Sequence, residues 1–270
     1  MGEPRVALVT GASSGIGRAT ADRLVEAGWR VFGASRTAPA RPGPFTVLTV
    51  DVRQDSSAQE CVRRVLQDAG RVDALVNCAG VAVAGPAEEM LPEEVLDQVQ
   101  TNLLGTMRMC RAVLAAMRRQ SSGLIINVGS LAGLMGVPFQ SAYSASKAGL
   151  EGYSESLQVE VRRFGIRVVV VDPGDIDTEI TLHRSTTRGL SAESPYRQDF
   201  ERALRAQAES EKHGWRVDRM ARVIVRIASS RRPRFRYTAG PRIERLGPVL
   251  RPLIPNRLFH RILAGFHGMK

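Results

Sequence analysis

The sequence predicts an α/β protein built on one doubly wound parallel sheet of seven strands, with helices on both faces and a helical tail at the C-terminal end. Three observations predict it. Short apolar, β-rich runs alternate with amphipathic stretches along most of the chain. The first of these runs leads through a glycine-rich turn straight into a helix. A chain of 270 residues with 43% hydrophobic content can also bury one substantial core. Strands are expected at residues 5–10, 30–35, 45–50, 73–77, 123–129, 166–171 and 234–238, with helices between them. No internal repeat, low-complexity tract or linker divides the chain. Residues 1–240 are therefore expected as a single domain and residues 241–270 as the tail.

The first element is the run Arg5 to Thr10, followed by Gly11-Ala-Ser-Ser-Gly15-Ile-Gly17 and the amphipathic stretch Arg18 to Ala27. Each glycine has a physical task. Gly11 lets the chain turn off the strand, Gly15 lets backbone approach a pyrophosphate, and Gly17 lets the helix pack closely on the sheet. The free N–H groups and the positive dipole end of the helix beginning near Gly15 suit an anion, and Ser13 and Ser14 add hydroxyl donors. The pattern points to a Rossmann-type dinucleotide site. The second strand selects the nucleotide, because an NAD site usually carries an acid at its end, whereas this chain reads Ser35-Arg36-Thr37. An arginine with two hydroxyls suits a 2′-phosphate, so NADP(H) is the expected cofactor.

Arginine outnumbers lysine by 35 to 3, yet one of the three lysines, Lys147, lies four residues after Tyr143 in Ser141-Ala-Tyr-Ser-Ala-Ser-Lys147. On a helix these two side chains share a face. A cation beside a phenol favours its ionised form, which a general acid or base requires, and a compact ammonium group suits sugar hydroxyls better than arginine's planar fork.

Together these residues resemble the short-chain dehydrogenase/reductase family, over residues 4–180 and less specifically to about 240. Thr10 to Gly17, including Ile16, matches its cofactor turn, and Asp51 with Val52 matches its adenine-contacting pair. Asn77-Cys-Ala-Gly80 matches its Asn-Asn-Ala-Gly element, with Cys78 in place of the second asparagine, so that Asn77, Ala79 and Gly80 are expected at the cofactor. Pro173, Gly174, Ile176 and Thr178 match the segment that holds the nicotinamide carboxamide. Asn102, Ser130, Tyr143 and Lys147 match the catalytic four. The resemblance implies that Tyr143 exchanges the proton, Ser130 positions the substrate oxygen, Lys147 binds the nicotinamide ribose, and Asn102 anchors a water linking Lys147 to solvent. It also implies a homodimer or homotetramer paired through the helices carrying Asn102 and Tyr143.

Segments Ser130 to Phe139, Leu150 to Leu157 and Phe164-Gly165 resemble the 17β-hydroxysteroid and retinol dehydrogenase-like subgroup. The expected reaction is ketone or aldehyde to alcohol interconversion on a hydrophobic steroid, retinoid or long-chain lipid. The alternatives are a carrier-bound ketone and a non-catalytic NADP-binding or peripheral membrane protein. Met135, Val137 and Phe139 are expected as an apolar substrate wall, and residues 179–214 as a lid.

Net charge is +11, but its basic groups carry little aromatic interleaving and no nucleic-acid motif, so no nucleic-acid partner is expected. An arginine-rich solvated surface, an anionic lipid partner and an acidic carrier protein all remain open. Cys61, Cys78 and Cys110 lack disulfide or metal spacing, and His183, His213, His260 and His267 lack ligand spacing, so no metal is expected. With no apolar run long enough to span a bilayer and no signal peptide, the expectation is a cytoplasmic protein, with peripheral membrane attachment open. In the tail, Asn256 reads as an N-cap, and Leu258, Phe259, Ile262, Leu263 and Phe266 recur at helical spacing. Such a stripe docks on its own domain, a partner subunit or a membrane surface. Pro248, Pro252 and Pro255 keep the preceding segment from forming one long helix.

Overall fold

The structure, a computed structural model, describes residues 3–177 and 185–269. Its seven parallel strands are β1 (Val6–Thr10), β2 (Arg30–Ser35), β3 (Thr46–Thr49), β4 (Ala74–Asn77), β5 (Gly123–Val128), β6 (Ile166–Pro173) and β7 (Arg236–Ala239). Their spatial order is β7-β6-β5-β4-β1-β2-β3. The order reverses direction between β1 and β4, and there the carboxyl ends of the strands leave a crevice for a ligand.

Alternation along the strands separates two cores. Val6, Leu8, Leu75, Ile125, Ile166 and Val168 face one side, where they pack with Cys61 and Val65 of helix α2 (Asp55–Ala69) and with Met109, Val113 and Met117 of a later helix. Ala7, Val9, Val76, Ile126, Val169 and Val171 face the other side, where Ala21 and Leu24 of α1 (Gly15–Glu26) meet Met220, Ile224 and Ile227. Side chains that are apolar at both parities produce strands covered on both faces. At about 25 cal/mol per Å² of apolar surface, these two layers are the main favourable contribution to folding.

The remaining helices are α3 (Pro92–Val99), α4 (Gly105–Arg119), α5 (Leu131–Leu134), α6 (Ser141–Val161), α7 (Arg197–Lys212), α8 (Val217–Ser229), α9 (Arg242–Leu250) and α10 (Asn256–Phe266). A π-helical turn at Gln100–Leu104 joins α3 to α4. All seven expected strands are present within two residues of their expected limits. Two short parallel pairings were not expected: Val83–Ala84 with Ser185–Thr186, and Ile176–Asp177 with Trp215–Arg216. Both are two residues long, below the length at which periodicity can register. In the tail, Pro255 occupies the cap position and Asn256 is the first helical residue, so the expected asparagine cap is corrected by one position.

Candidate active site

A cavity of about 620 Å³ opens along the carboxyl ends of the strands. At one part of its wall is the turn after β1. Gly11 has φ of +69°, and a methyl there would come within 2.9 Å of the Ala79 amide nitrogen. A methyl on Gly17 would lie 2.3 Å from the Gly11 carbonyl oxygen, so helix and turn approach as closely as backbone allows. Ser14 precedes α1 without capping it, and the cavity reaches Gly11, Ser13, Ser14, Ile16 and Gly17. Gly15, at φ of +54°, turns the chain into the helix. A backbone turn of this kind at a helix N-terminus fits a dinucleotide pyrophosphate.

After β2, Arg36 is exposed, lines the cavity and makes no ion pair among the described residues. Ser35 and Thr37 line the cavity beside it. Ser35 is buried and donates to the Thr37 carbonyl at 2.6 Å. Asp51 and Val52 line the cavity. Arg53, which sequence reasoning did not single out, binds the Asp51 carboxylate (2.9 Å) and Asp97 (2.9 Å). Its hydrogen bonds, aided by the field of Arg36, hold the Asp51 carboxyl below the usual range.

Ala79 and Gly80 line the cavity, as does Cys78. Burial pushes the Cys78 thiol up to about 12, so at neutral pH it is a protonated, small packing group. Asn77, unlike its neighbours in the motif, is not among the cavity-lining residues. It lies behind the wall, 3% exposed, donating to Asn127 at 2.9 Å, while Asn127 donates in turn to Ser154. That buried network ties β4 to β5 and α6.

Ser130 follows β5 and caps α5. Its hydroxyl oxygen accepts from the Ala132 N–H at 3.1 Å, leaving its own hydrogen to point elsewhere. Its backbone N–H donates to Asp172. Asp172 is fully buried beside Glu151, with Arg236 bonded to Glu151, and burial followed by the neighbouring carboxyl keeps Asp172 protonated far above the usual range. Tyr143 and Lys147 share the cavity face of α6, with the Lys147 ammonium 5.8 Å from the phenol ring centre. Lys147 is 6% exposed and donates to the Val128 carbonyl at 2.8 Å, which fixes it against the end of β5.

Asn102 also lies behind the cavity wall. It sits in the π-helical turn at zero exposure, accepts from the Val81 N–H at 2.8 Å, and donates to the Val81 carbonyl and to Ser146. The side chain acts as a clamp between the Val81 loop and α6 and is not among the groups that line the cavity, while its oxygen keeps a second lone pair.

Pro173, Gly174 and Ile176 line the cavity; Thr178 lies outside the described residues. Met135 and Val137 form part of its wall. Phe139 does not. Its backbone is held at φ of +60°, its carbonyl accepts from Gly85, and its ring packs edge-on against Phe200 of α7 at 5.3 Å. Of the stretch expected as a lid, residues 179–184 lie outside the described residues, while Gln207, Ser210 and Glu211 of α7 line the cavity. The tail contributes Ile243, Glu244, Gly247, Phe259, Ile262, Leu263, Phe266 and His267. Of these, Glu244 bears most directly on the segment that follows β6. It accepts from the Asp175 N–H at 2.7 Å, and burial raises its carboxyl to about 7. It is the one acid in residues 241–270, a signal available in the sequence. His267, held neutral by burial, gave no such signal.

A family model described as short chain dehydrogenase matches residues 5–189. The chain belongs to the short-chain dehydrogenase family. It is an oxidoreductase of the ketone and alcohol type, in a family that binds a nicotinamide cofactor. This short-chain dehydrogenase is 37% identical over 268 residues to a 3-ketodihydrosphingosine reductase of Bacteroides thetaiotaomicron, covering 99% of this chain and 100% of that one. It is 34% identical over 259 residues to bovine (Bos taurus) retinol dehydrogenase 8, covering 88% and 82%. Among solved structures, a short-chain dehydrogenase from Streptomyces avermitilis superposes with a TM-score of 0.80 at 33% identity, covering 93% of this chain and 94% of the other.

Proposed function

We propose that this short-chain dehydrogenase uses NADPH to reduce the ketone of a long-chain, hydrophobic substrate. The observation that carries the reading is one continuous cavity. It runs past the Gly11–Gly17 turn, Ser130, Tyr143 and Lys147 to apolar side chains of the C-terminal helices. The full-length likeness to a protein named for reducing 3-ketodihydrosphingosine supports a ketone on a long aliphatic chain.

The glycine turn would hold the pyrophosphate of the dinucleotide, and the exposed Arg36 guanidinium its 2′-phosphate. Asp51 and Val52 would flank the adenine, and Pro173, Gly174 and Ile176 would bound the nicotinamide. When bound, the reduced nicotinamide supplies a hydride to the carbonyl carbon. Ser130, with its lone pair held by the Ala132 N–H, donates its hydrogen to the carbonyl oxygen and orients it. Tyr143 passes its proton to the same oxygen as negative charge develops there, so the products are the alcohol and a phenolate. Lys147 keeps hydrogens for the ribose hydroxyls after its bond to Val128, and its charge stabilises that phenolate. Cellular NADP is held mostly reduced, which favours the ketone-to-alcohol direction. We further read the enzyme as a cytoplasmic homodimer or homotetramer paired through α4 and α6, with its tail available for contact with a membrane surface.

Absorbance at the reduced-nicotinamide band, with ketones of graded chain length and both cofactors, tests this. Rates should rise with chain length and favour NADPH. Tyr143→Phe should lower turnover by about 10²- to 10⁴-fold while NADPH binding, read by fluorescence titration, persists. Equal turnover by the variant would remove Tyr143 as the proton donor.

A further inference from the structure

The tail leaves an apolar face uncovered. On α9 and the turn after it, Leu246, Val249 and Leu253 are 51%, 63% and 78% exposed, and on α10 Leu258, Ile262 and Phe266 form an i, i+4, i+8 stripe that is at least half exposed. Isolated exposed apolar residues are ordinary; a contiguous set on two neighbouring helices is not. Two residues of this set, Ile262 and Phe266, also line the cavity, as does the exposed Ile243 of α9, so the face and the mouth of the site are continuous.

Charge selects what covers it. Residues 241–270 carry Arg242, Arg245, Arg251, Arg257 and Arg261, with Glu244 as the one acid, and that acid is turned inward onto Asp175. Arg251 is engaged with the Leu134 carbonyl and the Phe259 ring. The other four arginines are exposed and form no ion pair among the described residues. A second copy of the chain meeting this face through a two-fold axis would oppose arginine to arginine, whereas an anionic lipid leaflet accepts both the apolar stripe and the arginine rim.

We propose that the outer face of α9 and α10 docks on an anionic lipid bilayer, so that the cavity mouth opens into the leaflet and an amphiphile enters without crossing water. The docking rests on the surface just described, and its link to substrate entry rests on the long-chain reading above. The full chain should sediment with vesicles of phosphatidylcholine and phosphatidylglycerol, more weakly with phosphatidylcholine alone, and less as salt rises. Two triple variants test the two components of the face. Leu246→Glu/Leu253→Glu/Leu258→Glu and Arg245→Glu/Arg257→Glu/Arg261→Glu alter exposed side chains outside the cavity, and each should weaken vesicle binding by about tenfold or more. Both should reduce a short, water-soluble ketone at the rate of the unaltered protein.

Unaltered protein that stays in the supernatant with anionic vesicles, or variants that sediment as it does, would overturn the proposal. So would a fall in oligomer size by sedimentation velocity on introducing the leucine changes, which would make this face a contact between copies. Vesicle binding without turnover of any ketone would refute the reductase reading and leave the docking surface standing; turnover without vesicle binding would do the reverse.

Discussion

Around the Gly11–Gly17 turn the cavity wall is backbone packed on backbone, whereas at α9 and α10 it is made largely of apolar side chains that are half open to solvent. The first region has no room to adjust, since the groups that a new side chain would meet are carbonyls and amides fixed by the sheet. The second region can repack, because long side chains on short helices can move without disturbing a strand. The first kind of wall suits the pyrophosphate of fixed shape that we propose for the turn. The second suits the proposed substrates of variable length.

One methyl group measures this contrast most sharply. Gly17→Ala places a carbon 2.3 Å from the Gly11 carbonyl, and with no side chain to yield, the variant should lose about 3 kcal/mol or more of stability, together with dinucleotide binding. Gly265→Ala on α10 meets nothing within 4 Å and should gain about 0.5–1 kcal/mol from helix propensity. Thermal unfolding of the two variants checks the pair, and similar changes in both would erase the distinction between the regions.

A smaller effect is expected where the turn region does present a side chain. Arg36→Asp should shift the ratio of cofactor efficiencies toward NAD by about 10- to 100-fold, the worth of one charge-assisted contact. An unchanged ratio would detach Arg36 from the 2′-phosphate.

The smallest effect lies at the junction of the two regions. Glu244 has its carboxyl raised from an ordinary 4.5 to about 7 by burial, so the folded chain holds this proton more tightly than the unfolded one. Its contribution is fully present below 4.5 and is lost as pH rises through 7. The tail should therefore loosen over that window. In Glu244→Gln, hydrogen exchange of α9 should be flatter with pH than in the unaltered chain. Identical pH profiles would show that the carboxyl does not govern the contact.

Much of the sheet and of the cavity's lining could be read from residue order. The seven strands stand where alternation and apolar runs indicated, and Tyr143 and Lys147 share the cavity face because four residues are about one helical turn. What could not be read was the direction in which a residue near the site points. Asn77 and Asn102 lie in matching motifs, yet both amides turn to partners distant in sequence, Asn127 in one case and Val81 with Ser146 in the other. Phe139 lies within two residues of a wall-forming valine, but its left-handed backbone turns the ring to Phe200, 61 positions away. No local spacing encodes such an encounter.

By itself, then, the sequence determined the fold class, the glycine turn, the shared face of Tyr143 and Lys147, and the apolar periodicity of the tail. These depend on neighbours within about one helical turn or one strand, where backbone geometry leaves few choices. Only the tertiary structure decided that Glu244 meets the Asp175 amide, that His267 reaches the cavity, and that Ile262 and Phe266 stay half exposed at its mouth while Phe259 turns inward. Those outcomes depend on how the helices after β7 pack against loops far from them in sequence, and that packing is a balance over the whole chain.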